Sequence, residues 1–191
     1  SGAWSCSSCD IRRPAPDVLA TKVVLESDRS YVEVALAGHT EILDLTVHQQ
    51  GLYSVYNVLA AISAAWAYGI HPADSIDVIE SATGVFGRQE EFLFANVKAK
   101  IWLAKNPQGL NEVLRTLTET AESALNLLLV LNDEIQDGKD ISWIYDANFE
   151  ILASKCAFLA CSGSRAHNLS LRCLIAGIPV TKSDPNIMSM L

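Results

Sequence analysis

LNLLLVL, Leu125 to Leu131, followed by NDEIQDGKDISWIYDANFE from Asn132 to Glu150, decides the fold. The first piece is short, aliphatic and bounded by polar residues, so it reads as a buried strand of a parallel sheet. Function in open α/β sheets gathers at the carboxyl ends of such strands. Asp133, Asp137, Asp140 and Asp146 therefore fall on the functional edge, with Gly138 allowing a turn and Trp143 and Tyr145 anchoring the far side. Composition alone fits a solvated acidic loop equally well.

Working outward, a short helix is expected near Asn148–Ala153, then a strand at Cys156–Cys161 and a helix at Arg165–Ala176. Upstream, the turn Lys105-Asn106-Pro107 delivers the chain into a helix from Gln108 to about Glu119. This alternation of β and α predicts a parallel sheet with right-handed crossovers. The first half reads differently. Thr21–Leu25, Tyr31–Ala37 and Ile42–Leu45 alternate as strands, Gly51 leads into a helix over Ser54–Tyr68 closed by Gly69, and a second helix starts at Pro72 and ends before Gly84. Glu90–Val97 and Ala99–Ala104 are strand-like, and a domain boundary is placed near Val97–Lys100. Arg12-Arg13-Pro14-Ala15-Pro16 forms a stiff linker, because each proline fixes its own φ and restricts its predecessor.

The 191 residues are half hydrophobic, enough for a packed core. A net charge of −8 without a basic cluster argues against a nucleic-acid partner. The longest apolar stretch, Val55–Ile70, is shorter than the ~20 residues a span needs and carries Asn57 and Ser63, so it reads as a buried helix and not as a transmembrane segment. No secretion signal opens the chain. Of five cysteines, Cys156, Cys161 and Cys173 lie in apolar runs as small core residues. Cys6 and Cys9 form a CSSC pair with the spacing of half a zinc site, since two thiolates at that separation share one tetrahedral ion. No second CxxC or HxxxH supplies the other half. A redox CxxC opens a helix after a strand, which Asp10-Ile11-Arg12-Arg13-Pro14 does not provide.

Three segments in order, GLYSVYNVLAAISAAWAYGI at Gly51–Ile70, GVFGRQEEF at Gly84–Phe92 and LAKNPQGLNEVLRTL at Leu103–Leu117, resemble the end of the central domain and the start of the C-terminal domain of Mur ligases, the ATP-dependent peptide-bond formers of cell-wall synthesis. More closely, LAKNP, LNDEIQDGKDISWIYDANFE and SGSRAHNLSLRCLIAGI, with the CxxC before RRPAPD, resemble the MurT subunits of lipid II isoglutaminyl synthase. The resemblance covers nearly the whole chain. It implies an α/β fold with the C-terminal half of a zinc ribbon at 1–16, the C-terminal part of the Mur ligase central ATPase domain at 17–97, and a truncated, Rossmann-like C-terminal domain at 98–191. It also implies an activity: phosphorylation of the D-glutamate α-carboxylate of lipid II by ATP with Mg2+, and displacement of phosphate by ammonia from a GatD-type glutaminase, at the inner face of the bacterial membrane.

Under this resemblance each site residue has a stated role. Asn57 corresponds to the asparagine that contacts the adenosine, its amide offering donor and acceptor as an adenine edge requires. Arg88, in the GR motif, suits phosphate recognition near the hinge. Lys105 occupies the turn where related ligases place a ribose or substrate contact, although Trp102, Leu103 and Ala104 stand where those ligases carry an aspartate. Asp146 matches the aspartate that completes the glutaminase's Cys-His pair from across the interface, with Asp140 as the alternative and Trp143 and Tyr145 as an interface rim. Cys6 and Cys9 are the structural zinc ligands.

The ATP-binding loop, the magnesium-binding glutamate, the first CxxC and the N-terminal domain are absent from the sequence, and the family's last strand and helix fall beyond Asp184-Pro185, so the chain is expected to be a fragment inactive by itself. Two other readings stay open: a Mur-type ligase adding an amino acid, which predicts an aspartate in the turn before Pro107, and a non-catalytic module that uses the acidic loop for docking.

Overall fold

The computed structural model describes residues 3–82, 88–94, 96–135 and 137–189, with only the backbone for Arg88 and Phe94. Strands β1 (Val18–Leu25), β2 (Ser30–Leu36) and β3 (Ile42–Val47) form an antiparallel sheet in that order. Period-two alternation in β2 turns Val32, Val34 and Leu36 inward, and the register sets Val32 against Leu45 and Val34 against Leu43, so the apolar faces coincide. Helix α1 (Leu52–Ala67) lays Val55, Val58 and Ile62 on that face. Its opposite side carries exposed Tyr56, Asn57 and Ser63, so α1 is buried along one stripe only. The expected second helix is shorter than its pattern implied: a 3-10 turn at Pro72–Ser75 precedes α2 (Ile76–Glu80).

A hairpin of β4 (Arg88–Phe94) and β5 (Val97–Trp102) leads to α3 (Pro107–Thr120). Asn106 caps α3 by accepting the Gly109 N–H at 2.7 Å, and Pro107 occupies the first turn, where a missing N–H costs nothing. The second core lies around β6 (Leu125–Val130), β7 (Cys156–Ser162) and the two-residue β8 (Lys182–Ser183), parallel in that order, with α4 (Ala166–Ile175) between β7 and β8. Leu114, Leu131, Ile144, Phe149, Leu152, Leu159, Leu169 and Cys173 are all buried there.

Two details depart from the sequence reading. β6 is half-buried, with Leu127 and Leu129 packed inward while Leu128 and Val130 face outward, because the aliphatic run hides an in-out alternation that hydrophobicity alone does not reveal. The crossover from β6 to β7 carries no α-helix among the described residues; it is built from two 3-10 turns, Ser142–Asp146 and Phe149–Leu152.

Candidate functional site

Helices α1 and α3 face each other across an open cleft of about 570 Å³. From α1 it takes Tyr53, Asn57 and Ala61, spaced four apart on one face, and from α3 Gln108, Gly109, Glu112 and Val113. Trp102 and Leu103, at the end of β5, and Gln89 also line it. The approach of the two helices depends on Gly51, whose φ is +88 and where a Cβ would stand 2.5 Å from Thr116 Oγ1.

Gln89, which the sequence reading passed over, braces this cleft from below. It is 6% exposed and sits at a bulge with φ 59, an uncommon conformation for a non-glycine residue. Its Oε1 accepts the Gln50 N–H at 2.5 Å, and its Nε2 donates to the Gln50 carbonyl at 2.7 Å, to the Ser54 hydroxyl at 3.4 Å and to the Tyr53 hydroxyl. One amide thus ties β4 to the N-terminal turn of α1.

The acidic edge follows β6 as the spacing implied. Asp133 accepts from Ser164 Oγ at 2.6 Å and Arg165 Nε at 2.7 Å, and the Ser164 hydroxyl, then Arg165, hold its carboxyl below the ordinary range. Asn132 Oδ1 accepts the Ser164 N–H at 3.0 Å. The turn at Gly163 lies so close that a Cβ there would stand 2.4 Å from the Leu131 carbonyl oxygen, at φ +92. Asp133 is therefore spent on joining the β6 and β7 ends. Asp140 accepts the Ser142 N–H at 2.8 Å, and the Ser142 side chain, followed by that N–H, lowers its pKa. Asp146 ends the first 3-10 turn and is exposed, with no side-chain hydrogen bond or ion pair among the described residues.

The turn bearing Asp146 is firmly seated. Ile144 and Phe149 are each 1% exposed, Trp143 packs against the core, and Tyr145 stands half out. Asn111 on α3 accepts the Asn148 N–H at 2.7 Å, so α3 presents Gln108 and Glu112 to the cleft and Asn111 to the Asp146 turn. Arg172 of α4, also passed over, reaches the same turn. A signal existed: Leu169, Cys173 and Ala176 mark the buried stripe of α4, and Arg172, three residues after Leu169, falls on its border.

Cys6 and Cys9 stand exposed in a tight N-terminal turn closed by Cys6 N–H to Ile11 O at 2.8 Å and Arg13 N–H to Trp4 O at 2.9 Å. Ser8 N–H donates to Cys6 Sγ at 3.4 Å, and this bond, followed by the Cys9 thiol, pulls the Cys6 pKa down. The fit to one metal is partial: two thiol donors converge, but no group of three or more His, Cys, Asp or Glu comes together among the described residues.

Residues 103–189 match the MurT ligase C-terminal family. The chain is 31% identical over 183 residues to the lipid II isoglutaminyl synthase subunit MurT of Streptococcus pneumoniae, covering 95% of this chain and 39% of the relative. It is 36% identical over 131 residues to the MurT subunit of Staphylococcus aureus, covering 68% of this chain and 30% of that protein. In fold it is similar to MurF from Acinetobacter baumannii, with a TM-score of 0.67 at 17% identity, over 87% of this chain and 36% of that one. The chain thus spans about two fifths of the length of the S. pneumoniae MurT, and carries an α/β, Mur ligase-like fold.

Asn57 lies on the cleft wall. Lys105 is exposed just before α3 and is not among the cleft-lining residues. The Arg88 side chain lies outside the described residues; Arg88 opens β4, next to Gln89, which lines the cleft. Among the described residues no helix is long and apolar enough to cross a membrane.

Proposed function

We propose that the chain is part of an ATP-dependent amide-forming ligase, which converts the α-carboxylate of D-glutamate in lipid II to the amide of D-isoglutamine with ammonia from a GatD-type glutaminase. The observation that carries this reading is Asp146, a carboxylate offered outward from a turn seated on the core through Ile144. A Cys-His pair needs such a group to orient the imidazole and stabilise its cation when the thiol is deprotonated. Asp140 is engaged with its own turn, which favours Asp146 over it. In the same reading the division is 1–16 as the second half of a zinc ribbon, 17–97 as the end of the ATPase domain and 98–191 as the C-terminal domain, and the protein works at the inner face of the cytoplasmic membrane.

A carboxylate is a poor acyl donor, and phosphorylation by ATP supplies a leaving group that ammonia displaces. The cleft between α1 and α3 suits the adenosine end, with Asn57 offering donor and acceptor and Arg88 assigned to phosphate. Magnesium would offset charge on the transferred phosphoryl group. Zinc would join Cys6 and Cys9 to two donors from elsewhere in the protein. Ammonia must arrive unprotonated, which favours delivery across a closed subunit contact.

The test is Asp146→Asn in the full-length protein assembled with its glutaminase, scoring amidated lipid II with glutamine or with ammonium at high pH. Glutamine-driven amidation should fall by roughly 10⁴-fold, the cost of losing the equivalent carboxylate in hydrolase triads, while ammonium-driven amidation persists. Equal loss of both would move Asp146 to the synthetase site or to folding and defeat the reading.

A further inference from the structure

Arg172 is only 4% exposed, and its side-chain hydrogen bonds among the described residues all leave its own helix. Nε donates to the Ile144 carbonyl at 3.2 Å, and Nη2 donates to the Ala147 carbonyl at 2.7 Å and to Glu150 Oε2 at 3.0 Å. Nη1 lies 2.9 Å from Glu150 Oε1 as an ion pair, without the alignment of a hydrogen bond. The guanidinium also stands 5.1 Å from the centre of the Phe149 ring. Every one of these contacts falls within Ile144–Glu150, and the two carbonyls it grips bracket Tyr145 and Asp146.

Burying a guanidinium is costly, and a methionine or leucine at this point of α4 would fill the space without that cost. What an apolar side chain cannot do is hold two carbonyls at fixed separation. Nor can lysine, whose single ammonium lacks the planar fork. Glu150, itself half-exposed, closes the far side of the guanidinium, and the bond from Arg172 holds its carboxyl below the ordinary glutamate range.

We propose that Arg172, with Glu150 behind it, is the positioning residue for Asp146, setting the height and direction at which that carboxylate meets the partner's imidazole. This rests on Asp146 acting as the partner's carboxylate, and it adds a requirement that the reading by itself does not contain. The 3-10 turn has poorer hydrogen-bond geometry than an α-helix and is closed at its end by a long Ala147 N–H to Ile144 O bond of 3.4 Å, so a grip from outside matters to its shape. A displacement on the order of 1 Å at a catalytic carboxylate costs up to about a hundredfold in rate.

The experiment uses the full-length protein with its glutaminase and reads glutamate release from glutamine beside ammonium-driven amidation of lipid II. Arg172→Lys should lower kcat for glutamine hydrolysis by about ten- to a hundredfold with KM for glutamine nearly unchanged, and leave ammonium-driven amidation within about twofold. Placed on top of Asp146→Asn, the same substitution should cost less than about twofold more, because the group it positions is already gone. Glu150→Gln, at a half-exposed side chain, is the variant that keeps the test open if Arg172→Lys does not fold; it should slow glutamine hydrolysis by about threefold or more on the same pattern. Equal loss of both activities, additive losses with Asp146→Asn, or an unaffected Glu150→Gln each overturn the proposal. If instead Asp146→Asn itself hydrolyses glutamine normally, the function reading fails first, whatever Arg172 does.

Discussion

Gln89 holds Gln50 through both ends of one amide, accepting its N–H at 2.5 Å and donating to its carbonyl at 2.7 Å. The pair imitates a strand-to-strand bond between β4 and a residue outside any strand, 39 positions apart in the chain. Gln89→Leu leaves both backbone groups of Gln50 without these partners in a buried place and should destabilise the protein by about 2 kcal/mol, read from the urea midpoint. Gln89→Glu should be worse at neutral pH than in mild acid, since a carboxylate would face the Gln50 carbonyl; a variant indifferent to pH would contradict this geometry.

Nucleotide affinity should depend on the cleft wall. Asn57→Ala removes an amide partner and Arg88→Ala a charge-assisted one, each worth roughly 1–3 kcal/mol. Calorimetric titration of ATP into the full-length protein should therefore show Kd rising by about five- to a hundredfold for each. An unchanged Kd would make the residue structural.

The N-terminal turn should behave as an incomplete metal site with one activated thiol. Two thiolates leave a tetrahedral ion half-coordinated, so this chain should not retain stoichiometric zinc after dialysis against a chelator. Cys6, exposed and with its pKa lowered by the Ser8 N–H, should alkylate with iodoacetamide well before Cys161 and Cys173, which are fully buried. Mass spectrometry of timed digests checks the order. Tight zinc in this chain, or core cysteines reacting first, would refute it.

Acid should weaken the Arg172 brace. Glu150 has its folded pKa below the ordinary value of 4.5, so it binds fewer protons folded than unfolded near that pH. Its contribution is complete above 4.5 and is lost as pH falls through the lower, folded value. Glu150→Gln should therefore reduce stability at pH 7 and converge on the parent protein in strong acid, followed by urea midpoints across pH. A constant difference at all pH values would show that the carboxylate charge plays no part.

Much of the architecture was legible because it is written in local periods. Alternation in Tyr31–Ala37 announced the strand observed at Ser30–Leu36, Asn106-Pro107 announced a helix start, and the aliphatic run before Asn132 announced a parallel strand ending at an acidic edge. The shortfall has equally local causes. Leu128 and Val130 look as buried as Leu127 and Leu129 when only hydrophobicity is counted, and Trp143-Ile144-Tyr145-Asp146 has no helical period because its conformation is imposed from outside.

The sequence by itself determined the element order, the two cores and the residue types offered for chemistry, since propensity, capping and hydrophobic period act over a few residues. Only the tertiary structure decided which polar groups are spent and which are presented. Asp133 and Asp146 carry the same side chain in one segment, yet Asp133 is consumed by Ser164 and Arg165, 31 and 32 residues on, while Asp146 is held outward on a turn that Arg172 grips from 25 and 28 residues away. Those partners are chosen by how β6, β7 and α4 pack, and a buried guanidinium must find its acceptors wherever that packing brings them.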